Sequence, residues 1–192
     1  MNIAQALSRA TALLAALIFA ACSQEAIQLP SAGEAALARL EARAARVEII
    51  RDDFGVPHIY GRTDADAVFG MLYAQAEDDF PRIERNYVWS IGRLAEVEGK
   101  SAIFSDLRAR LYMTVDEAKT AYASAPGWLR ALCDAWADGL NYYLLTHPEV
   151  EPMLLTRFEP WMPMFFSEGS IGGDIEQIPV ERIARFYGGD DV

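Results

Sequence analysis

The chain of 192 residues is poor in the side chains that most often carry chemistry. It has two cysteines, Cys22 and Cys133, and two histidines, His58 and His147. Two thiols make neither a disulfide framework nor a four-ligand zinc site. Cations are also few. Lys and Arg total 17 against 28 Asp and Glu, a formal charge of −11. Such a surface repels phosphate backbones, and no basic stripe counters it, so no nucleic-acid partner is expected. The glycine-containing stretch Gly169-Ser170-Ile171-Gly172-Gly173 has no lysine and matches neither a phosphate loop nor a dinucleotide fingerprint. What is abundant is apolar: 52% of residues are hydrophobic and 23% charged, which excludes general disorder and suffices for a packed core. The length suits one domain or a piece of a larger one.

The first 21 residues read as an address. They hold one cation, Arg9, and no acid, and Ala10 to Ala21 form a nearly unbroken apolar run. About twelve residues give roughly 18 Å of helix, too short for a hydrocarbon core of about 30 Å. The pattern is that of an export signal. Cys22, directly after Ala20 and Ala21, is similar to the cysteine of a bacterial lipobox and is the candidate lipidation site. The expectation is an exported protein, periplasmic or held at a membrane through a lipid anchor alone.

Residues 22–46 read as a tether and an N-terminal helix, with Ser31 and Glu34 in a capping-box pattern ahead of an Ala- and Leu-rich run. Val47 to Arg51 and Val56 to Tyr60 are expected to pair across the turn Asp52-Asp53-Phe54-Gly55, with Pro57 at an edge or a strand start. From Asp64 the period becomes helical through Val68, Leu72, Ala76 and Phe80, capped by Thr63 or Asp64 and interrupted at Pro81. Ile83, Tyr87, Ile91 and Leu94 continue the face towards a stop near Gly99. Thr114 and Glu117 form a second capping box, and Trp128, Leu132, Trp136, Leu140 and Leu144 define a long helix closed by His147-Pro148. An irregular corner follows at Glu159 to Pro163, then a glycine-containing loop from Ser167 to Gly173 and a last helical piece over Val180 to Tyr187. The class is α+β, mainly helical. A two-stranded ribbon is marginal alone and calls for a sheet supplied from elsewhere. The ending Gly188-Gly189-Asp190-Asp191-Val192 brings no closing element, which fits a fragment or subunit.

Candidate nucleophiles are Ser167, Ser170 and Cys133, with His58 and His147 as candidate bases. Three of them have a structural alternative: Cys133 as a small core residue beside Trp136, His147 as a helix-end cap, and His58 as a turn neighbour. No Ser/His/Asp signature is present. Glu77-Asp78-Asp79 could be a catalytic or metal cluster, but its place on a helix favours a solvated face or pairing with Arg82 and Arg85 one turn on. Asp174 and Glu176, like Asp190 and Asp191, supply at most part of a site for calcium, which takes six to eight oxygens. Phe158, Trp161, Phe165 and Phe166, with Met162 and Met164, form a dense apolar cluster that suits either a core or an acyl-chain pocket.

Several ordered segments resemble one family. Val47-Glu48-Ile49-Ile50-Arg51-Asp52-Asp53-Phe54-Gly55-Val56-Pro57-His58-Ile59-Tyr60-Gly61 is similar to the opening of penicillin acylase family proteins. So are Asp64 to Gly70, Tyr73 to Asp78, Gly92 to Glu96 ahead of Gly99-Lys100, Asp138 to Asn141, and Phe158-Glu159-Pro160-Trp161. The resemblance runs from about Val47 to Tyr187. It implies an N-terminal-nucleophile amidohydrolase, made as one precursor and cut autocatalytically into a small α chain and a large β chain. The implied fold is an αββα sandwich, of which residues 47–192 would be an α-chain-like region completed by a β chain not present here.

In that family a serine freed at the start of the β chain is the nucleophile, its α-amino group is the base, and β-chain groups form the oxyanion hole. Ser170 is followed by Ile171 and departs from the Gly-Ser-Asn pattern of the cut, so no catalytic residue is assigned to this chain. The resemblance gives Phe165 and Phe166 as acyl-pocket residues. It gives Asp174, with Glu176 as the fallback, as the acidic ligand of a calcium ion shared with the β chain. No organic cofactor is implied. The implied substrates are linear amides such as β-lactam side chains and N-acyl homoserine lactones. Two other classes stay open: a truncated, non-catalytic lipoprotein that binds a partner, and a self-sufficient cysteine or serine hydrolase.

Overall fold

The computed structural model describes residues 32–165 and 178–188. All packing below lies in a compact unit that begins at Ala36. In chain order the elements are α1 (Ala32–Ala44), β1 (Val47–Arg51), β2 (Pro57–Gly61), α2 (Asp64–Ser90), α3 (Ala95–Glu98), α4 (Ile103–Tyr112), α5 (Val115–Ser124), α6 (Gly127–Thr146) and α7 (Val180–Gly188). Short 3-10 turns lie at Lys100–Ala102 and Met162–Phe165. Among the described residues no helix is long and apolar enough to cross a membrane.

β1 and β2 form an antiparallel hairpin in which Val47 faces Gly61, Ile49 faces Ile59 and Arg51 faces Pro57. Pro57 is the first residue of β2, where its missing N–H does least harm. The turn is held by Asp52, whose Oδ1 accepts from the backbone N–H of Phe54 and of Val56, both at 2.9 Å. Strand alternation places Val47, Ile49 and Ile59 inward and leaves Ile50 and Tyr60 exposed on the outer face.

Thr63 caps α2, as its spacing predicts, by accepting from the Asp66 N–H. The interruption predicted at Pro81 is a kink at Asp79, whose Oδ1 accepts the Arg82 N–H at 3.2 Å. Asp79 therefore caps the second half of the helix, and Pro81 falls in its first turn, where no N–H is needed. The Thr114–Glu117 capping box forms in full. Ser31 lies outside the described residues.

α2 packs along α6, and their facing side chains make the core: Leu72, Phe80, Val88, Trp136, Leu140 and Tyr143. The two backbones meet closely at Gly139, where a Cβ would stand 2.5 Å from the Phe69 carbonyl oxygen. Trp128 heads the apolar series predicted for α6 but is exposed; the buried stripe there starts at Cys133. Helix α4 was not visible in the sequence pattern. Its core-facing residues are Asp106 and Ala109, so no large apolar period marks it.

Candidate functional site

Two regions carry the structural detail that bears on function: the corner from Val150 to Phe165, and the hairpin with the groove beneath it.

The corner is fastened by polar side chains reaching across the fold. Glu84, in the second half of α2, is 1% exposed. Its Oε1 accepts from the backbone N–H of Leu154 and Leu155 at 2.6 and 2.7 Å, and Oε2 from Met153 at 2.8 Å. A carboxylate in the place of a helix end thus satisfies three donors of irregular chain that would otherwise be buried unpaired. Asn141 on α6 does the same for Phe158, donating to its carbonyl and accepting from its N–H, each at 2.8 Å.

Phe158 is fully buried in an aromatic cage, edge-on to Phe80, Tyr87 and Trp136. Of the aromatic and methionine cluster, Phe158 and Met162 are therefore core. Trp161, Met164 and Phe165 are only half-buried, with Phe165 edge-on to Trp161 at 6.0 Å and Lys119 above the Trp161 ring at 5.6 Å. Phe165 is the last residue of the 3-10 turn that ends this corner. Phe166 lies outside the described residues, as do Asp174, Glu176, Ser167, Ser170 and Cys22.

The hairpin lies over α2 so closely that a Cβ on Gly70 would meet Val47 Cγ1 at 2.5 Å and Ile59 Cγ2 at 2.8 Å. Beside this contact is a groove of about 540 Å³, lined by Val47, Ile49, Phe69, Tyr73 and Tyr142, with Arg51 and Glu77 at one end. It runs into an open cleft bounded by Arg51, Phe54, Asp78, Tyr143 and His147. Arg51 bridges the hairpin to α2 through Glu77 at 3.0 Å and Asp78 at 2.8 Å. This corrects the local pairing expected for the acidic run: Asp79 does pair with Arg82, but Arg85 turns to Glu98. The i+3 and i+4 rule describes neighbours on one helix and cannot see a strand residue 26 positions back.

None of the described nucleophile and base candidates forms a catalytic pair. Cys133 is buried, and burial, with Asp134 next to it, pushes its thiol pKa up, which leaves it protonated and inert. His147 Nδ1 sits 3.0 Å from the Tyr143 carbonyl and stacks on the Tyr143 ring at the end of α6, the capping role expected of it. His58 lies 3.2 Å from Asp52, and that contact, with the Val56 N–H, holds the Asp52 carboxyl below its ordinary range. The pair closes a turn and faces no candidate nucleophile among the described residues. Among the described residues no group of three or more His, Cys, Asp or Glu side chains is placed to hold a metal ion.

The remaining buried acids are structural. Asp66 pairs with Arg46 at 2.8 Å, and Asp138 takes Arg39 and Arg43 at 2.6 and 2.8 Å, which fastens α1 to α2 and α6. The Arg46 hydrogen bonds hold the Asp66 pKa down against its burial. Asp106 accepts from the N–H of Leu94 and Ala95. Tyr122 donates to Asp134 at 2.5 Å, and that bond with burial lifts the phenol to about 12. Sequence reasoning missed Glu84, Asp106 and Asn141 in these roles because each answers backbone groups that are brought up by the fold.

The model of the penicillin amidase family matches residues 46–180, from the residue before the hairpin to the first turn of α7. The chain belongs to the penicillin amidase family. It is 28% identical over 158 residues to the acyl-homoserine lactone acylase QuiP of Pseudomonas putida, covering 80% of this chain and 19% of that protein. It is 32% identical over 124 residues to the Pseudomonas aeruginosa protein of the same name, covering 62% and 15%. To penicillin G acylase of Escherichia coli it is 28% identical over 112 residues, covering 57% and 13%. The chain thus spans less than a fifth of the length of these relatives. Among solved structures, a chain of the thermostable penicillin G acylase from Alcaligenes faecalis superposes with a TM-score of 0.50 at 20% identity. That match covers 76% of each chain, so the two chains are of about equal length, and it establishes a shared fold. In penicillin amidase terms the described part of this family member is mainly helical with one two-stranded sheet, as the sequence predicts.

Proposed function

We propose that this chain is the N-terminal, α-chain part of an exported amidohydrolase that hydrolyses linear amide bonds after autocatalytic processing. The observation that carries the reading is the hairpin. Its outer face presents Ile50 and Tyr60 to solvent, its turn holds Phe54 at 92% exposure, and among the described residues it has two strands. Such a ribbon has unpaired edges that invite further strands. A β chain of the same precursor would extend it into the αββα sandwich. The fold shared with the Alcaligenes penicillin G acylase chain supports that reading.

In this reading the serine nucleophile, its α-amino base and the oxyanion hole come from the β chain. This chain's task is to shape and hold the acyl side of the site. Phe165 and Phe166 would line the pocket for the acyl group, and Glu84 and Asn141 would fix the corner that presents them. Asp174, with Glu176 as the fallback, would give one oxygen ligand to a shared calcium ion, whose other oxygens the β chain and solvent would complete. Amides of the kinds named in the relatives, N-acyl homoserine lactones and the side chains of penicillins, are the proposed substrates. The export signal and lipidation at Cys22 would place the enzyme in the periplasm or on a membrane by its anchor.

The test is an assay of amide hydrolysis on material purified from the native source. Release of fatty acid from N-acyl homoserine lactones, or of the side chain from a penicillin, is expected from a two-chain complex and should vanish when the β-chain serine is replaced by alanine. Hydrolysis by this chain alone, abolished in Ser170→Ala or Cys133→Ala, would overturn the reading.

A further inference from the structure

We propose that the cleft between the second half of α2 and α4 binds a small carboxylate carrying an apolar group. The cleft has a volume of about 320 Å³, at the small end of ligand sites, and is lined by Arg85, Asn86, Trp89, Leu94, Ser105 and Arg108. Arg85, Asn86, Ser105 and Arg108 can each donate into it, and among the described residues no carboxylate lines it, in a chain whose acids outnumber its cations by 28 to 17.

Arg108 is the decisive member. Most arginines of the described chain are matched by a carboxylate: Arg39 and Arg43 by Asp138, Arg46 by Asp66, Arg51 by Glu77, Arg85 by Glu98, Arg93 by Glu96. Arg108 has no such partner among the described residues. Its Nη1 donates to the Ile178 carbonyl at 3.3 Å, and its Nε is buried with no hydrogen-bond partner. A guanidinium offers five N–H donors in a planar fork, and among the described residues this one uses one of them. Its Cζ sits 5.8 Å from the centre of the Trp89 ring, which holds the group in place before any anion arrives. Trp89 in turn donates to Ser105 Oγ at 3.0 Å, so the serine's own O–H remains available to donate. The Asn86 amide is exposed at the rim. A carboxylate meets this set by taking a bidentate pair from Arg108 and a bond from Ser105 or Asn86, while its apolar part lies against Leu94 and Trp89.

The inference is independent of the acylase reading, because every lining residue belongs to this chain. The test is calorimetric titration of the protein, with whatever chain accompanies it, using benzoate, its neutral analogue benzyl alcohol, and inorganic phosphate. Saturable one-to-one binding of benzoate is expected, with benzyl alcohol and phosphate each at least tenfold weaker. Arg108→Gln should weaken benzoate at least tenfold, the loss of a charge-assisted bidentate pair, while Arg82→Gln, outside the cleft, should leave it unchanged. Asn86→Ala, at an exposed position on α2, should weaken it several-fold. No saturable benzoate binding, equal binding of benzyl alcohol, or wild-type affinity in a folded Arg108→Gln protein would overturn the proposal.

Discussion

Replacing Glu84 by glutamine keeps the shape of the side chain and removes its charge. The carboxylate accepts three backbone N–H groups from Met153, Leu154 and Leu155, and among the described residues it has no ion-pair partner. In its better orientation the amide oxygen keeps Leu154 and Leu155 as neutral bonds and turns its NH₂ against the Met153 N–H. Each weakened bond costs about 1 kcal/mol and the lost charge-assisted bond about 1.5–3 kcal/mol. Burying a neutral amide in place of an anion recovers part of this, leaving a net loss of about 2–3 kcal/mol. Glu84→Ala orphans all three donors and opens a cavity, and should cost about 4 kcal/mol. Urea unfolding followed by tryptophan fluorescence gives the global value, and hydrogen exchange at residues 153–155 the local one. A Glu84→Gln chain within 0.5 kcal/mol of the parent, with those amides still protected, would refute the view that this carboxylate holds the corner.

The other predictions concern the supports around that corner. Asn141→Leu removes both bonds to the buried Phe158 backbone and should destabilise by about 2–4 kcal/mol in the same urea assay. Gly139→Ala drives a Cβ to 2.5 Å from the Phe69 carbonyl oxygen and should cost about 1–3 kcal/mol, whereas Gly127→Ala, where a Cβ meets nothing within 4 Å, should leave the melting temperature unchanged or raise it. Asp66 has its folded-state pKa held below the ordinary value, so its contribution is complete above the unfolded pKa of about 3.9 and is lost as pH falls through the lower folded one. Asp66→Asn should therefore lower stability at neutral pH by about 2–3 kcal/mol and flatten the acid limb of a urea-midpoint profile taken between about pH 2 and 5.

The elements that can be read along the chain are those whose signals are local. The hairpin is written in β-branched runs around an Asp-Asp-Phe-Gly turn, the start of α5 in a capping box, and α6 in an apolar period with proline at both ends. What stays hidden depends on chain brought from afar. Glu84 looks like any exposed helix acid until residues about seventy positions later fold over it. Arg51 reads as a strand-end cation, yet it claims two acids of the run at Glu77. Helix α4 turns an acid and an alanine inward, so periodicity gives no sign of it. For the site the division is similar. Phe165 falls where the family pattern and the corner meet, but the segment with Phe166, Asp174 and Glu176 lies outside the described residues, and the donors of the Arg108 cleft share no motif.

The most direct test of the central claim is mass and N-terminal sequence determination of everything that co-purifies with this chain from its native source. A processed amidohydrolase predicts a larger companion chain that begins with serine, held in a stable complex. Recovery of this chain alone, with no such companion, would contradict it.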